Sequence, residues 1–152
     1  MKQLSCFISI KTYTSLSLLA ETGDFARFAS EERYAGYLGL TPSEKSSGDI
    51  TRRGGITCAG NTQMRTLLVE AAHSMARGRI GYKSKTLRKC QEENSHQVIA
   101  YADRANERLR SKFYRMMRRG KKYNVAIVAI ARELACFIWG MMNGCLAARP
   151  IG

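Results

Sequence analysis

The sequence predicts an all-α fold: a single helical domain of about four to five helices, with a long serine- and glycine-rich loop between the second and third. Three observations lead there. Apolar residues recur at helical spacing through Met64–Met75, Val98–Met116 and Val125–Met142. Glycines at 39, 78 and 120 follow helical stretches, where a left-handed C-cap favours glycine. No stretch alternates apolar and polar residues as a half-buried strand does.

Residues 1–13 show no period, and 14–22 predict a short helix stopping at Gly23-Asp24. Ser30 reads as an N-cap, because Glu31 and Glu32 follow in the first turn, where the helix dipole favours carboxylates. That helix buries Tyr34 and Leu38 and ends at Gly39. Residues 40–60 form the loop, in which Pro42 resists helix. Asn61 caps the next helix, which places Met64, Leu67, Leu68, Ala71, Ala72 and Met75 on one face. Residues 80–94 read as a polar, basic connector. A longer helix follows through Val98, Tyr101, Ala105, Leu109, Phe113 and Met116, with Arg104, Arg108, Arg115 and Arg118 outward. Asn124 caps the last helix, whose run from Val125 to Leu146 is nearly all apolar. Arg132 and Glu133 near its middle argue against a membrane span and for a core helix.

At 152 residues the chain can bury one core, and 45% hydrophobic residues exclude global disorder. The net charge of +13 is concentrated: residues 50–123 carry 18 Lys and Arg against 5 Asp and Glu. Like charges repel in a compact state, so such a segment points to phosphate as its counterion. Five scattered cysteines with no Cys-x-x-Cys pair give neither a zinc site nor a disulfide framework, and reduced thiols in a cytoplasmic protein are expected. The apolar residues 16–20 are interrupted too soon on their N-terminal side to make a secretion signal.

Chemistry concentrates in the loop. Ser43, Ser46 and Ser47 precede the adjacent Arg52 and Arg53, and a helix begins at Gly60-Asn61 with Arg65 one turn inside it. A serine hydroxyl beside fixed guanidinium groups can attack a phosphodiester while the arginines hold the phosphoryl oxygens. The candidate nucleophiles are therefore Ser47 and Ser46, and the candidate phosphate ligands Arg52, Arg53, Asn61 and Arg65. The plainer alternative is a Ser-Ser-Gly turn followed by a capped helix with solvated arginines. Neither histidine has a legible acidic partner, so a Ser-His-Asp hydrolase is excluded. No carboxylates are paired to hold a metal. Tyr82, Tyr114 and Tyr123 lie among basic residues, where stacking on bases competes with ordinary core packing.

Several phrases occur in one order: Glu21-Thr22-Gly23-Asp24-Phe25-Ala26-Arg27-Phe28, Ala35-Gly36-Tyr37-Leu38-Gly39-Leu40-Thr41-Pro42-Ser43-Glu44, Ser46-Ser47-Gly48, Arg53-Gly54-Gly55-Ile56-Thr57, Gly60-Asn61, Arg65–Ala72 and Val125–Ala135. In these the chain resembles the C-terminal half of an insertion-sequence-110 family transposase (relatives 116 and 902). The resemblance implies DNA transposition by a serine recombinase-like route. It implies a RuvC-like N-terminal domain that supplies an acidic Mg²⁺ site, a nucleophilic serine in the C-terminal domain, oligomeric action on DNA, and a guide RNA. By this mapping Ser47, which precedes the glycine, is the nucleophile, with Ser46 the alternative.

Nothing in the sequence resembles the RuvC-like domain, and Ile8–Thr14 stands without a glycine where the family carries a glycine hairpin. The expected organisation is a degenerate segment 1–15, a transposase helical domain 16–146 and a tail 147–152. A truncated transposase fragment, inactive alone, is the expectation. No cofactor is expected in this chain, and the expected partners are DNA, a guide RNA, and a second copy or full-length relative, with no membrane. The competing reading is a non-catalytic basic helical module for nucleic-acid binding or oligomerisation.

Overall fold

The computed structural model describes residues 1–47, 50–56 and 60–147. Among these are six α-helices: α1 (Thr12–Thr22), α2 (Glu31–Tyr37), α3 (Thr62–Ala76), α4 (Lys85–Gln91), α5 (His96–Arg118) and α6 (Tyr123–Met142). Short 3₁₀ turns at Leu4–Cys6 and Phe25–Arg27 complete the helical content. The fold class is all-α, as the periodicity requires. The expected tail, apart from Ala147, lies outside the described residues, as does Gly48 of the Ser-Ser-Gly phrase.

The apolar α6 is the centre of the bundle, packed against α2, α3 and α5. Ile127, Ile130, Ala131, Leu134, Ala135 and Ile138 are almost wholly buried. It is long and apolar enough to cross a membrane, with a mean hydropathy of 1.8, yet 61% of that stretch is buried inside the bundle. Its one carboxylate, Glu133, is satisfied at the helix surface by Arg108 and by Lys112 at 2.5 Å from α5. Arg108, expected on the outer face of its helix, is therefore committed to an ion pair.

Side-chain caps start most helices. Ser30, Asn61, Ser84 and Ser95 each accept from the backbone N–H three residues on, satisfying donors the first turn leaves open. α6 begins at Tyr123 after Lys122 and has no such side-chain cap, so Asn124 lies inside the helix rather than before it.

The segment 80–94, expected as a connector, contains α4. Only Leu87 and Gln91 of this short helix are buried, too few positions for a helical period to show in the sequence. The larger correction concerns the loop. It lies between α2 and α3 as expected, but its backbone pairs as an antiparallel hairpin, β1 (Pro42–Ser47) with β2 (Ile50–Ile56). Period-two reading missed it because the sequence of this ribbon carries no apolar row to alternate with.

Residues 4–10 enter the core. Leu4, Cys6, Phe7 and Ile10 are buried. The carbonyl of Cys6 accepts from Gln91 Nε2 at 3.2 Å and Asn106 Nδ2 at 3.3 Å, and Ile8 N–H donates to Asn106 Oδ1 at 3.0 Å. Two buried amide side chains thus pin the N-terminal segment to α4 and α5. Ser9 turns the chain with φ +72°, a conformation usually left to glycine.

Candidate functional site

The hairpin register fixes where the candidate residues stand. Ser47 pairs with Ile50 and Ser46 with Thr51 at the far end of the ribbon, while Lys45 pairs with Arg52 and Glu44 with Arg53. A strand alternates faces at every residue. Positions 47 and 52 therefore fall on one face of the ribbon, and positions 46 and 53 on the other. The two serines, equivalent in the sequence, are separated by the fold: each shares a face with a different arginine.

A hydrogen-bonded junction joins the end of α2 to the start of α3, on either side of the ribbon. Asn61 N–H donates to the Tyr37 carbonyl at 3.2 Å. Gly60, with φ +113°, lies so close that a Cβ there would fall 2.1 Å from the same carbonyl oxygen. Only glycine fits both the backbone angle and the space. Across the junction, Asn61 Nδ2 donates to Glu21 Oε2 at 3.0 Å, and its Oδ1 accepts from Met64 N–H at 3.1 Å. Tyr37 adds a bond from its hydroxyl to the Glu21 carbonyl at 3.3 Å. Its ring, with that of Phe28, lies under the Arg27 guanidinium, 5.0 and 4.4 Å from the respective centroids.

Two of the candidate phosphate ligands therefore belong to the base of the hairpin. Asn61 uses both ends of its amide within the protein. Arg65 is half-buried and reaches the Leu38 carbonyl at 3.4 Å, at the C-terminal end of α2, and Thr62 Oγ1 at 3.3 Å. Arg52 and Arg53 stand in β2, opposite Lys45 and Glu44. Tyr37, Gly60 and Glu21, which build the junction, were legible as words of a motif but not as a structural unit, since their contacts span up to 40 residues.

Beyond this region, among the described residues, one cation is buried. Arg110 of α5 donates from Nε to the Met75 carbonyl at 2.9 Å, and from Nη1 to the Arg79 and Tyr82 carbonyls at 2.7 and 3.2 Å. Burial pulls its guanidinium below the usual arginine range. It closes the C-terminal end of α3, whose last carbonyls have no partner within the helix. A cleft of about 740 Å³ opens between residues 5–14, α3 and α4, with Arg110 in its wall. Among the described residues no group of three His, Cys, Asp or Glu converges as a metal site would require.

Comparison with known proteins decides the relationship. The family model of the IS116/IS110/IS902 transposases matches residues 2–88. The chain belongs to that family. Its members' shared work is DNA transposition. Over 128 residues, 84% of this chain, it is 44% identical to y4qE of Sinorhizobium fredii, which is named as a transposase. It is 24% identical over 99% of its length to a Pseudomonas aeruginosa protein named as a family 20 transposase. Over 86% of its length it is 28% identical to the transposase for insertion sequence element IS1111A of Coxiella burnetii. The aligned parts make up 32%, 37% and 29% of those relatives, so the chain spans about a third of their length. For this transposase-family chain, the match begins at residue 2 and includes the segment that enters the core beside α4.

Proposed function

We propose that this chain is the serine-bearing, DNA-contacting part of a transposase, and that the hairpin presents the nucleophile. The observation that carries the reading is the register: position 47 stands at the end of the ribbon, on the same face as position 52. In the reaction Ser47 Oγ attacks a backbone phosphorus as its proton leaves to a base. The bond from phosphorus to one deoxyribose oxygen breaks, and that oxygen takes up a proton. The strand is then held as a phosphoserine ester until a free sugar hydroxyl attacks it and releases the serine. Arg52 balances the negative charge that gathers on the phosphoryl oxygens. Ser46, on the face of Arg53, is the second candidate.

The family resemblance implies an acidic Mg²⁺ cluster. In this reading it belongs to a RuvC-like domain that meets the hairpin in an oligomer, with guide RNA as a further partner. No step above passes through it.

Duplex DNA binding measured by fluorescence anisotropy across a salt series tests the contact. Affinity is expected to fall steeply with salt, to weaken in Arg52→Gln, and to stay unchanged in Ser47→Ala. Binding that ignores salt contradicts the reading.

A further inference from the structure

At the opposite end of α3 from the hairpin, two acid-free stretches of sequence meet. Neither Ala71–Gln91 nor Arg110–Arg132 contains an Asp or Glu. The fold clasps them together: Tyr114 OH donates to the Gly78 carbonyl at 2.7 Å, Arg110 holds the Arg79 and Tyr82 carbonyls, and His73 Nδ1 lies 2.9 Å from Tyr123 OH. Arg77, Arg79, Arg118, Lys121 and Lys122 are all exposed there, and none has an ion pair among the described residues. The helix end would ordinarily present negative carbonyls. Arg110 and Tyr114 cover four carbonyls at and just beyond that end, which leaves the surface to its cations.

Three tyrosines stand among these cations. Tyr82 is 61% exposed, Tyr123 42% and Tyr114 36%. Two are fixed in place. Tyr123 stacks on His73 with centroids 5.5 Å apart, and both Tyr123 and Tyr114 meet Phe113 edge-on. Rings already held by the protein lose little freedom on binding a ligand. Cations alone suit any phosphate chain. Exposed rings among cations suit a chain whose bases are unpaired, because a duplex hides the faces of its bases.

We infer that this end of the bundle, formed by residues 77–82 beyond α3, the last turns of α5 and the start of α6, binds single-stranded DNA. Tyr82 also lines a pocket with Asp103 and Glu107, so the choice of DNA over RNA rests on the match to a transposase family. The fifteen residues of α3 separate it from the hairpin by about 22 Å. It is a second contact, spaced from the hairpin by about six steps of a DNA strand. It does not depend on which residue attacks phosphorus.

The test is anisotropy of the whole chain with a labelled oligothymidylate of about 12 nucleotides, a duplex and an oligouridylate of the same length. Single-stranded DNA is expected to bind more tightly than duplex. Tyr82→Leu is expected to lose affinity for it by about tenfold while leaving duplex binding unchanged. Tyr82→Phe, which keeps the ring, is expected to bind as the parent does. Tyr82 has an exposed ring, so circular dichroism is expected to show both variants folded. Arg118→Gln is expected to reduce the salt slope for the single strand by about 0.7. Equal affinity for duplex and single strand, or no effect of Tyr82→Leu in a folded variant, overturns the inference. Tighter binding of the oligouridylate overturns the assignment to DNA.

Discussion

Asn61 and Tyr37 are joined main chain to main chain: the Asn61 N–H donates to the Tyr37 carbonyl at 3.2 Å. That bond ties the end of α2 to the start of α3 and brings together the two points from which the hairpin leaves the bundle. An isolated two-stranded ribbon is marginal in water. Here the chain leaves α2 and enters α3 at a hydrogen-bonded base.

Gly60 is the tightest part of that base. Gly60→Ala combines a positive φ with a Cβ 2.1 Å from the Tyr37 carbonyl oxygen, and backbone atoms cannot yield as a side-chain tip can. The variant is expected to lose about 3 kcal/mol of stability, read by thermal or urea denaturation. A parent-like midpoint contradicts so close a junction.

Glu133 gives the fold a pH dependence of known sign. Burial alone raises its carboxyl, but the hydrogen bonds from Lys112 and Arg108 outweigh this and hold it below its ordinary value of 4.5. A group depressed in the folded state contributes in full above its unfolded value and loses that contribution as pH falls through the folded value. Stability is therefore expected to hold above pH 4.5 and decline below it. Glu133→Gln is expected to flatten that decline and to cost about 1–3 kcal/mol near neutrality. Urea midpoints across the pH range read both effects, and an unchanged slope contradicts them.

Gly78 and Arg110 are predicted to be coupled. A Cβ at residue 78 would lie 1.7 Å from Arg110 Nη2, a group held by the carbonyls around it. Arg110→Met removes a donor from three carbonyls, of which those of Met75 and Arg79 keep the N–H of Gly78 and of Tyr82, and is expected to cost about 1–3 kcal/mol. Gly78→Ala displaces the same guanidinium and is expected to cost about 1–3 kcal/mol. The double variant is expected to lose less than the two single losses combined, because the second change acts on a contact already gone. Strict additivity in urea denaturation contradicts the coupling.

The parts of the fold legible in the sequence were those with a dense repeating signal. The apolar faces of α3, α5 and α6 announce themselves, as do Ser30 and Asn61 as caps, because each depends on neighbours within a few residues. α4 was silent because two buried residues make no period. The hairpin was silent because its strands have no apolar row. Arg110 was hidden for a third reason: it is a charged residue beside Leu109 and Phe113, and its acceptors lie 28 to 35 residues away. At the candidate site the sequence supplied Ser46, Ser47, Arg52 and Arg53 as a set. Which serine position shares a face of the ribbon with which arginine position came only from the register.

The most direct test of serine attack is to trap the covalent intermediate. The chain would be mixed with a RuvC-like domain from a relative, Mg²⁺ and labelled element-end DNA, denatured, and mapped by mass spectrometry of the DNA-bound peptide. A phosphoserine link at Ser47, lost in Ser47→Ala and kept in Ser46→Ala, is the predicted result. A link that survives in Ser47→Ala, or DNA joined to a residue outside the hairpin, would contradict the account.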